Sequence, residues 1–212
     1  MRFVTARQLI VLSGVLLLSG CLELGGVSPP SRFYLLTPGG ETRAAATDLA
    51  PDGGPGVGPA DLGLADLGLG VGPIRIPAYL DRPQIVTRSG ANGLELAPFD
   101  RWGEPLQESV ARVLATELAR RLGTERVQRH PWRDAESVQV AVEVDVLRFD
   151  GPLGGPVTLE VRWTLRAGGE SVQHASHITE VGDGGGYAEQ AAAMSRALAT
   201  LAREIASEVP PG

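Results

Sequence analysis

The sequence predicts an α+β domain in which an antiparallel or mixed β-sheet is covered on one face by two amphipathic helices. Residues 138–166 contain two runs in which valine and other apolar residues alternate with polar ones, a pattern typical of half-buried strands. Residues 106–122 and 187–205 each carry apolar residues at helical spacing. Segments rich in glycine and proline separate these elements, and therefore mark the turns between them.

The first twenty residues have the features of a bacterial signal peptide. Arg2 and Arg7 flank the start of an uninterrupted weakly polar to apolar run, Leu9 to Leu18. As a helix, ten residues rise about 15 Å, roughly half of a bilayer core, so the run is too short for a stable membrane span. The tetrapeptide that ends it, Leu18-Ser19-Gly20-Cys21, resembles a bacterial lipobox. We therefore expect residues 1–20 to be removed as a lipoprotein signal peptide.

Cys21 is the only cysteine of the chain, so it cannot form an intramolecular disulfide. A buried or incidental cysteine and a nucleophile are the alternatives, but no histidine or basic residue lies nearby in sequence to lower the thiol pKa. We expect lipidation at Cys21, where two or three acyl chains would give effectively stable attachment. Leu22 stands where such lipoproteins usually carry an inner-membrane retention Asp, which favours outer-membrane sorting.

The charge of the mature chain argues against two classes of partner. Without Arg2 and Arg7, 17 of the 19 basic residues remain against 25 acidic ones, a net charge of −8, and none of the basic residues is lysine. Binding to nucleic acid depends chiefly on neutralising phosphates, so we expect no nucleic-acid partner. Electrostatic docking onto anionic lipid headgroups is disfavoured for the same reason.

The N-terminal part of the mature chain predicts a spacer, a short strand and an insertion. Residues 21–30 form the lipidated spacer, and residues 32–37 have the aromatic and apolar composition of a short strand. Residues 39–70 are rich in Gly, Ala, Asp and Pro and repeat the pentapeptide ADLGL in tandem. Two short copies are too few for a solenoid, and no Lys-Ser/Thr pair marks a phosphate loop. We predict a Gly-rich, low-complexity surface insertion.

A strand, a hairpin and a helix follow. Residues 71–77 predict a strand that ends at a proline, and residues 83–98 predict a β-hairpin that turns at Asn92-Gly93. Phe99 and Trp102 come next, and we expect them at a corner. Pro105 suits the first turn of a helix that stops at Gly123, and Glu117 is the single interruption in its apolar stripe. The polar side chains of the opposite face are expected to be solvated.

The second half predicts three strands and a final helix. The strands are 138–147, 157–166 and 171–181, and the last two join through a glycine-containing turn. The helix carries a narrow apolar seam, composed of Tyr187, Ala191, Met194, Leu198, Leu201 and Ile205. We expect this seam to pack on the valine face of the sheet, with a protein partner as the alternative.

No pattern of catalytic, metal or cofactor chemistry stands out. The sequence has no GxSxG, no HExxH and no Cys/His cluster, so we expect neither an enzyme nor a metal or cofactor site. His174 and His177 lie three apart on a predicted strand and therefore point to opposite faces. His130 stands alone before a proline. The glycine loop at 182–186 has no basic or hydroxyl residue, which favours a connecting turn over an anion site.

Two further stretches carry a resemblance to a known family. They are Ser31-Arg32-Phe33-Tyr34-Leu35-Leu36 and residues 71–122, within which YLDRPQIV (79–86) and FDRW (99–102) are the most specific parts. The chain resembles the ABC-type transport auxiliary lipoproteins, also called PqiC-like lipoproteins. The resemblance covers essentially the whole mature chain and implies a family domain over residues 31–208. The repetitive segment at 39–70 departs from the short link expected there.

The resemblance implies a non-enzymatic part in intermembrane lipid transport. Such lipoproteins work with MCE-domain proteins, which move phospholipid or other apolar molecules across the periplasm of Gram-negative bacteria. The lipoprotein would sit on the periplasmic face of the outer membrane, anchored by its acyl chains, and receive the MCE assembly as a homo-oligomer. A structural lipoprotein that aids assembly of an envelope complex without handling lipid is the alternative.

The same two stretches supply the candidate partner contacts. They are Tyr79, Leu80, Asp81, Arg82, Gln84, Phe99, Arg101 and Trp102. An equally open interpretation is that these are turn and core residues that hold the fold.

Overall fold

The computed structural model describes residues 28–39, 64–182 and 184–210. The predicted signal peptide, Cys21 and most of the predicted insertion lie outside these ranges. The described residues from Ser31 onward form one compact unit. Its helices and strands are β1 (Arg32–Tyr34), β2 (Leu69–Arg75), β3 (Gln84–Arg88), β4 (Leu94–Trp102), α1 (Leu106–Leu122), β5 (Val127–Arg129), β6 (Val140–Asp150), β7 (Pro156–Ala167), β8 (Glu170–Val181) and α2 (Tyr187–Glu208).

Five strands form a mixed sheet in the order β5-β2-β6-β7-β8. β2 is parallel to both β5 and β6, whereas β6, β7 and β8 form an antiparallel meander. The alternating valines of β6 are buried, as their two-residue period predicts. Three of the predicted strands therefore correspond to β6, β7 and β8, with ends that differ by up to three residues.

The two helices pack against each other and against this sheet. α1 contacts β2 and β5, and α2 contacts β7 and β8. The seam of α2 is buried, and Ala193 and Ala197 beside it have no exposed surface, which lets neighbouring backbones approach closely. α1 ends at Gly123, whose φ of 67° is the left-handed conformation that glycine adopts without strain. The predicted α+β class with two helices over a mixed sheet is confirmed.

A second sheet of three strands, in the order β1-β4-β3, was not expected from the sequence. β3 and β4 form the predicted antiparallel hairpin, with a register shift between Gln84 and Val86. β1 runs parallel to the end of β4 and pairs Phe33 with Arg101 and Tyr34 with Trp102. This pairing extends β4 to residue 102, so the prediction that Phe99 and Trp102 form a corner is wrong.

The C-terminal end of the predicted insertion is buried. Leu64 and Leu69 are 2% and 0% exposed, and β2 begins at Leu69, two residues before the predicted strand. A Cβ atom at Gly70 would lie 2.7 Å from Val138 Cγ1 and 2.8 Å from the Trp132 ring, so only glycine allows this close approach. Residues 64–70 thus differ from the surface segment that their composition predicts.

Within the described ranges, neither helix is long and apolar enough to cross a membrane.

Candidate functional site

The two stretches that resemble the family motifs meet in space. The backbone N–H of Trp102 donates a hydrogen bond of 2.7 Å to the carbonyl oxygen of Pro83. The turn that holds residues 79–82 therefore lies against the end of β4. This hydrogen bond continues the antiparallel pairing of β3 with β4, in which Gln84 lies opposite Arg101.

A cleft of about 350 Å³ lies where these stretches meet. Its lining residues come from the turn before β3 and from the β4–α1 connection: Asp81, Arg82, Pro83, Trp102, Gly103, Glu104 and Pro105. Asp81 is exposed, whereas the Nε of Arg82 is buried and has no hydrogen-bond partner within the chain. Burial of a guanidinium N–H without a hydrogen-bond acceptor is energetically costly. An acceptor supplied to this wall of the cleft would therefore stabilise it.

Glu104 forms the opposite, acidic part of the cleft and is held in place from α1. Its Oε1 accepts hydrogen bonds from Arg112 at 2.6 and 3.0 Å and from Ser109 Oγ at 2.7 Å. These hydrogen bonds keep the pKa of Glu104 below its usual value of 4.5. The cleft therefore presents a fixed carboxylate near the exposed carboxylate of Asp81, together with the guanidinium group of Arg82.

A row of side chains crosses the three-stranded sheet beside the cleft. The pairing of β1, β4 and β3 aligns Phe33, Arg101 and Gln84 on one face. Phe33 is 66% exposed, and the buried Nε of Arg101 has no hydrogen-bond partner within the chain. This face of the three-stranded sheet therefore combines an exposed aromatic ring with a guanidinium group that has unused hydrogen-bonding capacity.

Tyr79 has a structural role in a buried cluster around Asp150. Its hydroxyl donates a hydrogen bond of 2.7 Å to Asp150, whose side chain has no exposed surface. Arg88 donates two more, at 2.7 and 2.8 Å, and Arg148 adds one at 3.0 Å. Burial, followed by the hydrogen bond to the carboxylate, raises the pKa of Tyr79 to about 12. Burial alone would raise the pKa of Asp150, but the hydrogen bonds from Arg88 and Tyr79 outweigh it and lower that pKa.

The eight candidate contact residues therefore divide into two groups. Leu80 and Trp102 are 2% and 5% exposed and belong to the core, and Tyr79 is tied to Asp150. Phe99 is half-buried in β4. In the second group Asp81 is exposed, and Arg82, Gln84 and Arg101 are half-buried. For the first group, the interpretation as residues that hold the fold fits the structure better.

Several residues of this surface were not among the candidates: Pro83, Gly103, Glu104 and Pro105 line the cleft, and Phe33 lies on the sheet beside it. Glu104 directly follows Trp102-Gly103, so its position in sequence could have suggested it. Phe33 comes to lie beside Arg101 only through the pairing of β1 with β4, and no local pattern reports that pairing.

The histidines do not form a metal pair. His174 stacks on Trp163 with ring centroids 4.1 Å apart, whereas His177 Nδ1 lies 3.8 Å from Glu160. These different partners agree with the opposite strand faces that the spacing predicts. Within residues 28–39, 64–182 and 184–210, no three His, Cys, Asp or Glu side chains lie close enough together to hold a metal ion.

Comparison with known proteins gives one family and several related folds. The model of a family described as "ABC-type transport auxiliary lipoprotein component" matches residues 50–206. A crystal structure of an uncharacterized protein aligns at 18% identity over 85% of this chain and 99% of its own, with a TM-score of 0.65. A DUF330-family protein from Xanthomonas campestris aligns at 17% identity over 66% of this chain and 81% of its own, with a TM-score of 0.54. At these identities the likeness shows the fold alone.

A PelC dodecamer from Paraburkholderia phytofirmans aligns at 13% identity over 65% of this chain and 86% of its own. Its TM-score is 0.38, too low to bear on the fold or assembly of this chain. No curated protein matches the sequence.

Proposed function

The chain belongs to the family of ABC-type transport auxiliary lipoprotein components, and from this membership we propose that it serves an MCE-type intermembrane lipid transport system. In this proposal it is a non-catalytic lipoprotein on the periplasmic face of the outer membrane, where it docks or receives the periplasm-spanning assembly. It works as a homo-oligomer, and the phospholipid transport that it assists supports envelope integrity.

The observation that carries the docking proposal is the cleft between the turn before β3 and the β4–α1 connection. Arg82 in the cleft and Arg101 on the adjoining three-stranded sheet each keep a buried Nε without an acceptor in the chain, and Asp81, next to Arg82, is exposed. A partner that draws these half-buried side chains outward would supply the missing acceptors, and hydrogen bonds to charged groups contribute about 1.5–3 kcal/mol. We therefore place the docking contact for the MCE-domain partner at Asp81, Arg82, Gln84 and Arg101.

Co-purification with the MCE-domain partner from the same cells tests this contact. We expect the double substitution Asp81→Ala and Arg82→Ala to reduce capture of the partner roughly tenfold, which corresponds to about 1.4 kcal/mol of binding free energy. The matched control is Glu125→Ala with Arg126→Ala, an adjacent acid–arginine pair on the surface in which both residues are exposed, for which we expect capture to remain unchanged.

Three outcomes would contradict parts of the proposal. Equal capture of the partner by the double variant and the control would show that the cleft is not the contact site. No capture of any MCE-domain protein by the unmodified chain would count against the transport function as a whole. Capture without any dependence of phospholipid movement on this chain would favour a purely structural envelope lipoprotein.

Attachment to the membrane is tested at Cys21. The proposal predicts that the mature chain incorporates labelled fatty acid and fractionates with outer membranes, because two or three acyl chains bind a bilayer stably. Cys21→Ala should lose both the label and the membrane fractionation, while its thermal unfolding after release of the signal peptide stays the same. Unchanged fractionation of Cys21→Ala would overturn the anchor.

A further inference from the structure

Two apolar side chains near the start of the domain are exposed to solvent, one on β1 and one directly after its last residue, Tyr34. Phe33 is 66% exposed and Leu35 is 50% exposed, whereas Leu36 is fully buried and Tyr34 turns inwards to donate a hydrogen bond to Asp100. In an extended chain, residues two apart point to the same side. Phe33 and Leu35 therefore form one apolar pair, which we call the β1 apolar pair.

We propose that the β1 apolar pair inserts into the surface of the bilayer to which Cys21 is attached. The inference rests on the proposed function, because it needs the acylated Cys21. Phe33 follows Cys21 by only twelve residues, a span of at most about 43 Å even if fully extended. The tether thus keeps the pair near the lipid, and tethering makes even a weak contact effective.

The chemistry of the surroundings favours an apolar contact over an electrostatic one. Arg32, the basic residue next to the pair, places its Nε 2.7 Å from the Asp100 carboxylate. It is therefore already paired and offers little attraction to anionic headgroups. The mature chain is also acidic overall, which disfavours electrostatic docking onto anionic lipid. Aromatic and leucine side chains at the edge of an anchored domain suit the boundary between headgroups and acyl chains.

Contact of the β1 apolar pair with lipid also places the cleft next to the membrane surface. A Cβ atom at Gly103, which lines the cleft, would lie 3.2 Å from Leu35 Cδ2, so Leu35 packs at the cleft's edge. A partner bound in the cleft would then be held beside the membrane surface. A second copy of the chain or the transport partner could contact the pair instead of lipid. Each of these alternatives predicts a different experimental result.

The experiment uses the acylated mature chain in phospholipid vesicles. Because the only native thiol is that of Cys21, which acylation blocks, Leu35→Cys can be labelled uniquely with an environment-sensitive fluorophore. The matched control is Val172→Cys, since Val172 is also 50% exposed but lies on β8, at the end of the meander away from β3. Phe33→Cys is a second test site, and unchanged thermal unfolding checks that each variant is folded.

We expect lipids with nitroxide-labelled acyl chains to quench the fluorophore at residue 35, and also at residue 33, at least threefold more than at residue 172. Quenching should not change with salt or with the fraction of anionic lipid. Flotation of the vesicles with bound protein reports the anchor separately from the contact. Protein that floats but shows equal quenching at 35 and 172 would overturn the inference alone, whereas protein that does not float would overturn the anchor and the inference with it.

Two further results would assign the pair to another occupant. Cross-linking between residue 35 of two copies without lipid quenching would identify a second copy. Protection of residue 35 only after the MCE-domain partner is added would identify the partner. Either result would replace the bilayer as the occupant of the β1 apolar pair.

Discussion

At the scale of single residues, the main polar interactions of this fold are hydrogen bonds from arginines to buried carboxylates. Asp150 has four hydrogen bonds from three side chains, and Asp100 is bound by Arg32 and Tyr34. Glu117, which interrupts the apolar stripe of α1, has no exposed side-chain surface. Three groups compensate its charge: Arg120, Arg121 and the backbone N–H of Gly39. Each carboxylate is thus buried only where several donors replace water.

Replacement of one such carboxylate should be costly. We expect Asp150→Asn to lower the free energy of unfolding by about 3 kcal/mol, because the guanidinium group of Arg88 would lose its ionised partner while only 21% of its side chain is exposed. Urea denaturation at neutral pH measures the effect. Glu125→Gln, an exposed site, is the control, and a loss no greater than that of the control would contradict the proposed role of the cluster.

At the scale of elements, the amphipathic helices are fixed by the sheet beneath them. The seam of α2 is buried inside the chain: Leu198, Leu201 and Ile205 have no exposed surface. Apart from the half-buried Tyr187, the seam therefore packs inside the domain as expected, where α2 contacts β7 and β8, and this part of it is not available to a protein partner. Ser176 on β8 links the layers, because its hydroxyl accepts a hydrogen bond from Trp163 and donates one to Glu204 of α2.

Truncation of the α2 seam should destabilise the whole domain. We expect Leu198→Ala to cost about 2–5 kcal/mol, since it removes buried methyl groups and leaves a cavity between the helix and the sheet. Leu147→Ala is the control, because Leu147 is 41% exposed on β6 and its truncation should change stability by less than about 0.5 kcal/mol. Chemical denaturation measures the free energy of unfolding of both variants. Equal losses would show that burial of the seam does not stabilise the domain.

Local patterns in the sequence were enough for the long elements but not for the second sheet. The two-residue period of β6 and β7 and the helical spacing of α1 and α2 depend on neighbours in sequence, so those elements could be predicted. The pairing of Arg32 with Asp100 joins residues 68 positions apart, and nothing local encodes its register. For the same reason the sequence could nominate cleft residues but could not separate the buried Trp102 from the exposed Asp81.

At the scale of the whole molecule, three ionised carboxylates join neighbouring elements, and two of them, Asp100 and Asp150, connect residues 62 to 71 positions apart. Asp100 holds β1 to β4, Glu104 holds the β4–α1 connection to α1, and Asp150 joins the end of β6 to β3 and to the turn before it. The pKa of each carboxyl group is lowered in the folded chain. These groups therefore bind protons less readily in the folded state than in the unfolded state.

Stability should consequently fall in acid. A carboxyl group with a lowered folded pKa contributes its stability above the unfolded pKa, near 3.8 for Asp and 4.5 for Glu, and loses it as the pH drops through the folded pKa. We expect the urea midpoint to be constant from pH 7 to about 5 and to decrease steadily below about 4. Asp150→Asn should show a shallower decrease, and an unchanged midpoint at pH 3 would contradict the linkage.

The entry of the chain into the domain has a mechanical consequence. After the three pairs of β1, Leu36 is buried, the Thr37 N–H donates to Ser195 of α2, and the Gly39 N–H donates to Glu117 of α1. A force applied at Arg32 would therefore be shared among the three-stranded sheet and both helices within eight residues, 32–39. The start of the domain thus resists being peeled away one strand at a time.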